Sequence, residues 1–336
     1  MIITKTPFRM SFFGGGTDFP EFYRENGGAV ISSTFDKYCY VNVRHLPRFF
    51  DYSTELSYSR IERVNNLEEI RHPAIREAMK YLNMHELRLT YEADLPARSG
   101  LGTSSSFAVG MLCAFYALKG KYVDKRRLAN DAIFLERELC KEAGGVQDQI
   151  AAAFGGLNKI SFDIEGYTVN PIIISPERKE QLNRNLMLFF TGFSRFSSDI
   201  QESAQKTMKD RKQQLLEMLE LVDEAEKVLV SEMNLKEFGK LLDYTWKLKR
   251  GITDKVSTNF IDDIYKKAIQ AGAIGGKLLG AGGGGFLLFY VEEEEKKRNV
   301  KKALENLLYV PFQFEDAGVQ VIHYTSEVYL PKENIS

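Results

Sequence analysis

The sequence contains few of the residues that build disulfide frameworks and zinc sites. Its 336 residues include three cysteines and four histidines. The cysteines (Cys39, Cys113 and Cys140) are odd in number and lack CxxC spacing, which argues against a disulfide framework or a cysteine-ligated metal. Because free thiols fit a reducing compartment, we expect a cytoplasmic protein.

Long apolar runs and an excess of one charge are also missing. Stretches such as residues 286–291 are too short to span a bilayer, and the N-terminus lacks the pattern of a signal peptide. Lysine and arginine total 45 against 46 acidic residues, a formal net charge of −1. We therefore expect neither nucleic acid nor a membrane surface as a partner. The sequence does not reveal the oligomeric state.

The phosphate-binding motif GxxxxGK[ST] of the common NTPases does not occur either. Three other glycine clusters are present instead, at residues 14–16, 100–102 and 275–285. Three separate clusters suggest several backbone segments that close on one ligand.

The second cluster lies in residues 95–110, LPARSGLGTSSSFAVG, and we expect the fold to be organised around it. Glycines allow a tight turn, hydroxyl residues cap helix starts, and the N–H groups of a helix N-terminus suit a phosphate. The stretch is thus a candidate phosphate cradle. Taken alone, it fits a turn that caps a structural helix equally well.

Periodicity and turn residues predict a chain that mixes strands and helices. The predicted strands are residues 2–13, 29–33, 38–44, 87–95, a hairpin at 157–174 that turns at Glu165-Gly166, 186–190, 286–291 and 319–324. The predicted helices are residues 73–83, 103 to about 118, 124–143, a short stretch after Val146, 197–231, 235–249 and 258–271. A polar stretch at 175–184 predicts a domain boundary.

Three motifs occur in order: Arg9 on a strand before Asp18, the PxxxGLGTSSS loop, and KLLGAGGGGF at residues 277–286. This order resembles the GHMP kinases, the family of galactokinase, homoserine kinase, mevalonate kinase and phosphomevalonate kinase. The resemblance implies an α+β fold. Residues 1–175 would form an ATP-binding domain like ribosomal protein S5, and residues 176–336 a ferredoxin-like domain, with the active site between them.

The resemblance also implies ATP and Mg²⁺ as cofactors. In this family the glycine loop binds the phosphates of ATP, which here implies Gly100, Leu101, Gly102, Thr103, Ser104 and Ser105. Ser104 or Ser105 would also reach Mg²⁺. Glu136 matches the carboxylate that serves the metal in galactokinase-like members, and Glu138 is the rival assignment. Simple exposure on a helix is the alternative for either.

Two residues match catalytic positions of the galactokinase type. Asp148 in GGVQDQ matches the aspartate of GIMDQ, as catalytic base or as the group that orients the sugar hydroxyl; the alternative is a helix N-cap. Arg9 matches the arginine of motif one, where a guanidinium can stabilise the transferring phosphoryl group or pair with Asp148. The alternative for Arg9 is a surface cation on a strand.

The acceptor follows from motif one and its neighbours. Galactokinases carry Gly-Glu-His-Thr-Asp where this chain has Gly-Gly-Gly-Thr-Asp at residues 14–18, and the loss of Glu-His argues against galactose. FFGGGTDFPEF, TGFSR and GGKLLGAGGGGF most resemble the D-glycero-D-manno-heptose 7-phosphate kinases and related fucokinase domains. The substrate contacts implied are Gly15, Gly16, Thr17, Asp18, Arg195, Lys277, Gly282 and Gly283.

A heptose 7-phosphate kinase phosphorylates the anomeric hydroxyl and needs a second anion site for the phosphate that the sugar already carries. Candidates are Arg195, Arg98, Lys277 and Arg44. The product would be a heptose 1,7-bisphosphate, a precursor of nucleotide-activated heptose for surface glycans. Alternatives are a fucokinase-like or other sugar-1-kinase and a sugar-sensing regulator; the retained Arg9, Ser104, Glu136 and Asp148 argue against the sensor.

Overall fold

The computed structural model describes residues 1–97, 99–192, 211–251, 256–280 and 282–327. The strands in these ranges are β1 (Ile2–Phe13), β2 (Gly28–His45), β3 (Thr54–Ser57), β4 (Ile61–Val64), β5 (Leu87–Ala93), β6 (Leu157–Asp163), β7 (Gly166–Pro171), β8 (Leu186–Gly192), β9 (Gly275–Leu278), β10 (Gly285–Tyr290), β11 (Leu308–Val310), β12 (Phe314–Glu315) and β13 (Gln320–Tyr324).

The helices in the same ranges are α1 (Pro20–Asn26), α2 (Pro73–Tyr81), α3 (Thr103–Leu118), α4 (Lys125–Phe134), α5 (Gln147–Phe154), α6 (Pro176–Asn185), α7 (Lys212–Val230), α8 (Lys236–Arg250), α9 (Asn259–Gln270) and α10 (Glu294–Ala303). A 3₁₀ turn at Leu67–Glu69 and a π-helical turn at Leu135–Leu139 complete the set. Within the described residues, no helix combines the length and apolar character that a membrane span requires.

Two sheets organise these elements. The larger has nine strands in the order β13-β1-β2-β5-β3-β4, with β6 and β12 also paired to β2 and β7 paired to β6. The smaller has the order β11-β8-β10-β9, and its pairs are antiparallel. The mixture of helices and two sheets confirms the predicted α+β fold.

The long strand β2 corrects a prediction. Residues 28–45 form one strand, whereas the sequence predicted two strands at 29–33 and 38–44. The register between β1 and β2 shifts between Pro7 and Phe8, which pair with Tyr38 and Phe35. A β-bulge therefore accommodates Asp36 and Lys37 as extra residues, and strand β2 continues through it.

Three further stretches have secondary structure that the sequence did not predict. The helix predicted to Ala143 leaves α-helical geometry after Phe134 and continues only as the π turn. The polar stretch predicted as a boundary forms helix α6, which begins where the Ser175 side chain accepts a hydrogen bond from the Arg178 N–H. Strand β9 was not predicted, because its glycines suggested a loop.

The division into domains at residue 175 stays a prediction. The chain after α10 does not remain with the small sheet, since β12 pairs with β2 and β13 pairs with β1. The predicted long helix is described only from Lys212 to Val230 as α7, and residues 197–210 of that prediction lie outside the described residues.

Helix α3 sets the position of the glycine loop at residues 100–105, the candidate phosphate cradle, which is called the phosphate loop below. It is buried along nearly its whole length and packs on β1 and β2. The Thr4 hydroxyl donates a 2.9 Å hydrogen bond to the Gly110 carbonyl, and a Cβ at Gly110 would lie 2.6 Å from Thr6 Oγ1. This close packing brings the start of α3 beside Arg9 on β1.

Candidate active site

The glycine loop turns sharply into α3. Gly100 and Gly102 have φ values of +82° and +71°, and Gly102 is the N-cap residue of the helix. No side chain caps this end, which differs from the expected hydroxyl cap. Among the described residues, the first N–H groups of the helix thus have neither an intrahelical nor a side-chain capping partner, which is the arrangement that binds phosphate.

Hydrogen bonds from Arg9 hold the phosphate loop against β1. Its main-chain N–H donates to the Leu101 carbonyl at 3.1 Å, and its Nη1 donates to the Gly100 carbonyl at 2.8 Å. The side chain is only 5% exposed. The structure therefore places Arg9 inside the site and excludes the alternative of a surface cation.

Asp148 lies in the first turn of α5, where Val146 takes the N-cap position, so Asp148 is not the N-cap. Arg9 binds Asp148 Oδ1 through both Nε and Nη2, each at 2.7 Å. A Cβ at Gly102 would lie 3.4 Å from Asp148 Oδ2, so this second oxygen faces the phosphate loop. The structure thus brings a carboxylate, a guanidinium and a helix N-terminus together.

Asp18 accepts hydrogen bonds that hold the start of α5 in place. Its Oδ1 accepts from the Gly16 N–H at 3.0 Å and its Oδ2 from the Gln147 N–H at 3.2 Å. Burial, reinforced by the charge of Asp148, raises the pKa of Asp18. A Cβ at Gly145 would lie 1.8 Å from Asp18 Oδ2, which explains the glycine before the QDQ sequence. Asp18 thus positions the residue next to Asp148.

Thr17 and Gly15 differ in what they offer a substrate. The buried Thr17 hydroxyl donates toward the Gly14 and Ala29 carbonyls at 2.8 and 2.9 Å, and this shapes the turn. Near Gly15 lie the side chains of Ser11 and Gln147. Ser11 Oγ and Gln147 Oε1 are buried without a hydrogen-bond partner in the described structure. The motif matching had not selected these two polar groups.

Glu136 faces the phosphate loop from the π turn. Its Oε1 accepts from the Ser104 hydroxyl at 3.0 Å and its Oε2 from the Ser105 hydroxyl at 2.7 Å, and Gln149 Nε2 also donates to Oε2. Burial raises the pKa of Glu136 in spite of these donors. Glu138, by contrast, is 63% exposed and pairs with Lys141 at 3.5 Å. The geometry thus favours Glu136 of the two rival assignments.

The third glycine cluster packs against the second. A Cβ at Gly280 would lie 2.2 Å from Gly100 Cα, and one at Gly285 would lie 2.4 Å from the Ser99 carbonyl oxygen. Gly282 and Gly283 contact the backbone of Val256 instead, and Gly283 N–H donates to its carbonyl at 3.0 Å. The second and third glycine clusters thus meet at Gly100 and Gly280, while their closing on one ligand stays a prediction.

The structure describes two of the four candidate residues for a second anion site, Arg44 and Lys277. Arg195 and Arg98 lie outside the described residues. Arg44 is half-exposed near Glu327, roughly 30 Å along β2 from Thr34, the residue that pairs with Arg9. Lys277 is 2% exposed, and its Nζ donates to the Phe12 carbonyl at 2.7 Å.

Sequence reasoning missed Lys249 in the last turn of α8. Its Nζ donates to the Leu278 carbonyl at 3.2 Å and to the Gly280 carbonyl. Burial, with the charge of Arg9, lowers the pKa of Lys249 to about 7, and burial also lowers that of Lys277. The run WKLKR gave no signal, because lysines are common at helix C-termini for unrelated reasons.

The donor set fits a nucleotide phosphate with a hard cation. A helix N-terminus without a side-chain cap suits phosphate oxygens, and the hydroxyls of Ser104 and Ser105 with the Glu136 carboxylate are oxygen ligands of the kind that Mg²⁺ prefers. The described residues hold no cluster of three or more His, Cys, Asp or Glu side chains that would bind a metal unaided.

Comparison with known proteins identifies the family. The profile of the GHMP kinase N-terminal domain matches residues 69–156, and that of the C-terminal domain matches residues 218–310. A D-glycero-alpha-D-manno-heptose 7-phosphate kinase of Campylobacter jejuni is 31% identical over 297 residues, which cover 84% of this chain and 86% of that protein. The chain belongs to the GHMP kinase family.

Other GHMP kinases resemble this one more distantly. A galactokinase of Pyrococcus furiosus is 25% identical over 84% of this chain and 86% of its own length. A solved structure named as a D-glycero-D-manno-heptose 1-phosphate kinase of Bacteroides thetaiotaomicron has a TM-score of 0.78, covers 97% of this chain and 100% of its own, and is 23% identical. At that identity the likeness shows the fold, which is the GHMP kinase fold.

Proposed function

We propose that this GHMP kinase transfers the γ-phosphoryl group of ATP to the anomeric hydroxyl of D-glycero-D-manno-heptose 7-phosphate, giving a heptose 1,7-bisphosphate. The observation that carries the proposal is the Arg9–Asp148 pair, which lies directly beside a helix N-terminus suited to phosphate. The relative from Campylobacter jejuni supports the choice of acceptor. The product would serve nucleotide-activated heptose and surface glycan synthesis.

On the donor side, the free N–H groups at the start of α3 bind the phosphates of ATP. Ser104, Ser105 and Glu136 would hold Mg²⁺, which when bound neutralises charge on those phosphates. Gln149 keeps the Glu136 carboxylate turned toward the two hydroxyls. Glycine at 100 and 280 lets the two loops approach without side chains between them.

On the acceptor side, Asp148 accepts the proton of the anomeric hydroxyl. The hydroxyl oxygen of the sugar bonds to the γ-phosphorus, and the bond between that phosphorus and the leaving ADP oxygen breaks. Arg9 holds Oδ1, which leaves Oδ2 for the hydroxyl on the side of the phosphate loop. Arg9 also stabilises negative charge on the moving phosphoryl group. Ser11 and Gln147 offer unpaired polar atoms for other sugar hydroxyls.

We place this reaction in the cytoplasm, because Cys39, Cys113 and Cys140 are free thiols that suit a reducing compartment.

The decisive experiment measures ADP release with Mg²⁺ and ATP over a panel of acceptors. The panel contains D-glycero-D-manno-heptose 7-phosphate, the same heptose without phosphate, mannose, fucose, galactose and mevalonate. We expect the highest kcat/KM with the heptose 7-phosphate, and a new anomeric phosphate in the ³¹P NMR spectrum.

Other outcomes of the panel would contradict the proposal in distinct ways. Preference for fucose or another free sugar would keep the sugar kinase and discard the phosphorylated acceptor. Absence of turnover on every acceptor, with ATP still bound, would indicate a sugar-sensing regulator.

A further inference from the structure

Two lysines next to the reaction centre, the buried Lys277 and the partly buried Lys249, bind backbone carbonyls and no carboxylate in the described structure. Lys249 Nζ donates to the carbonyls of Leu278 and Gly280, and Lys277 Nζ donates to the carbonyl of Phe12. Neither forms an ion pair with an acidic side chain within the ranges that the structure describes. Most other buried lysine ammonium groups in proteins are paired, because an unpaired buried charge is costly.

The two lysines lie close to Arg9. Burial lowers the pKa of both lysines; the charge of Arg9 lowers the pKa of Lys249 further, and the charges of Lys249 and Arg9 do the same for Lys277. Arg9 in turn has one acidic partner in the described structure, Asp148. Three basic side chains therefore share one carboxylate in the described structure, so that their protonated forms make this part of the site electropositive.

A short chain of contacts connects Lys249 to the reaction centre. Lys249 binds the carbonyl of Gly280, and Gly280 packs against Gly100 so closely that a Cβ there would lie 2.2 Å from Gly100 Cα. The Gly100 carbonyl accepts from Arg9, and Arg9 holds Asp148. When protonated, Lys249 thus places a positive charge at the junction of the two glycine loops, where the proposed reaction brings phosphate groups.

We propose that Lys249, with Lys277 and Arg9, forms a binding site for a phosphate group at the junction of the two glycine loops. This inference rests on the proposed function for the source of the phosphate, which is either the acceptor sugar or ATP. A phosphate dianion supplies the negative charge that the cluster lacks, and ammonium and guanidinium groups bind it through charge-assisted hydrogen bonds. Lys249 is then a specificity-determining residue outside the three sequence motifs.

The test compares Lys249→Met, Lys249→Arg and the control Lys119→Met with the unchanged protein. Lys119 is matched because it also lies at the C-terminal end of a helix and donates to a backbone carbonyl, that of Leu82, at the far end of α3 from the loop. Calorimetry measures the Kd of inorganic phosphate. Kinetics measure KM for ATP, for heptose 7-phosphate and for the unphosphorylated heptose.

We expect Lys249→Met to weaken phosphate binding about tenfold or more, while Lys249→Arg and Lys119→Met stay near the unchanged protein. A rise in KM confined to heptose 7-phosphate assigns the site to the acceptor. A rise in KM for ATP with both acceptors assigns it to the donor. If Lys249→Met fails to fold, Lys249→Gln takes its place in the test, because the glutamine amide retains a donor for the Gly280 carbonyl.

The proposal would be overturned if Lys249 only stabilised the fold and did not bind phosphate. A role of that kind would appear as a lower Tm for Lys249→Met with the Kd of phosphate and all three KM values within twofold of the unchanged protein. Failure of the proposed function is separate from this result. If the unchanged protein does not phosphorylate heptose 7-phosphate, but Lys249→Met loses phosphate binding, the proposed anion site stands and only the proposed acceptor is wrong.

Discussion

Arg9 binds one oxygen of Asp148 and leaves the other facing the phosphate loop. Both Nε and Nη2 contact Oδ1 at 2.7 Å, whereas Oδ2 lies toward Gly102. This asymmetry orients the carboxylate, because two donors from one planar guanidinium restrict its rotation. The carboxylate can then receive a proton on a defined side, next to the helix N-terminus.

The first prediction concerns Asp148→Asn. The amide keeps the shape of the side chain but cannot act as a base, so kcat should fall roughly a hundredfold to ten-thousandfold. Calorimetric binding of ATP should remain near that of the unchanged protein. Asp51→Asn, an exposed change of the same chemistry, is the control and should keep full activity. Near-normal turnover in Asp148→Asn would remove Asp148 from the mechanism.

The second prediction separates the two candidate metal-binding glutamates. Glu136→Gln should raise the Mg²⁺ concentration needed for half-maximal rate by about tenfold to a hundredfold, because Glu136 contacts Ser104 and Ser105. Glu138→Gln should leave it unchanged, since that side chain is exposed. Titration of Mg²⁺ at saturating ATP checks both. The reverse result would assign the metal to Glu138.

The third prediction concerns the space at Gly102. In Gly102→Ala the new methyl group would lie 3.3 Å from Arg9 Cγ and 3.4 Å from Asp148, at a φ of +71°. Gly120→Ala is a matched control, because its φ is +65° and nothing lies within 4 Å of its added Cβ.

Both alanine variants should lose about 1–2 kcal/mol of stability from the left-handed backbone. Only Gly102→Ala should also lose kcat, because only its methyl group crowds Arg9 and Asp148, the pair proposed to be catalytic. Thermal unfolding and steady-state kinetics on the two proteins separate these effects. Equal activity in both would show that the space at Gly102 is not needed for catalysis.

The fourth prediction is a pH dependence that involves Lys249. The pKa of Lys249 is lowered to about 7, so the ammonium form prevails below that pH and the neutral amine above it. Burial is the main cause of this shift, and the charge of Arg9 on β1 adds to it. The neighbouring charged groups are Lys277 on β9, whose pKa Lys249 lowers, and Asp148 on α5, which binds Arg9. If the ammonium binds phosphate, KM for the phosphate-bearing substrate should rise as the pH increases above 7.

Lys249→Arg supplies the comparison for this pH dependence. An arginine stays charged, so its KM should change less between pH 7 and 9 than that of the unchanged protein. The ratio of the two KM values at each pH removes the titration of the substrate phosphate itself. A ratio that is constant across this range would mean that the charge of Lys249 does not contribute to binding.

Much of the site could be predicted from the sequence because its parts are local. A glycine turn followed by hydroxyls and an apolar helix predicts the phosphate loop at Gly100 and Gly102, and the structure has that turn. Arg9 and Asp148 were selected by motif matching, and the structure brings them into contact. Their catalytic roles stay predictions until the variants are measured.

Other features depended on register and packing. A bulge merges two predicted strands into β2, and a π turn, not a longer α-helix, points Glu136 and not Glu138 toward Ser104 and Ser105. Spacing alone could not choose between the glutamates, because two residues apart on a helix are about 200° apart around its axis. The choice requires knowing which face meets α3.

The sequence by itself determined the composition of the active site: three glycine clusters, a strand arginine and an aspartate after paired glycines, each readable within about ten residues. Tertiary structure alone decided how distant segments complete it. Lys249 lies in a run of helix-terminal charges, yet its ammonium reaches Gly280 because α8 packs on β9. Contacts between residues far apart in the chain depend on the whole fold, so no local pattern records them.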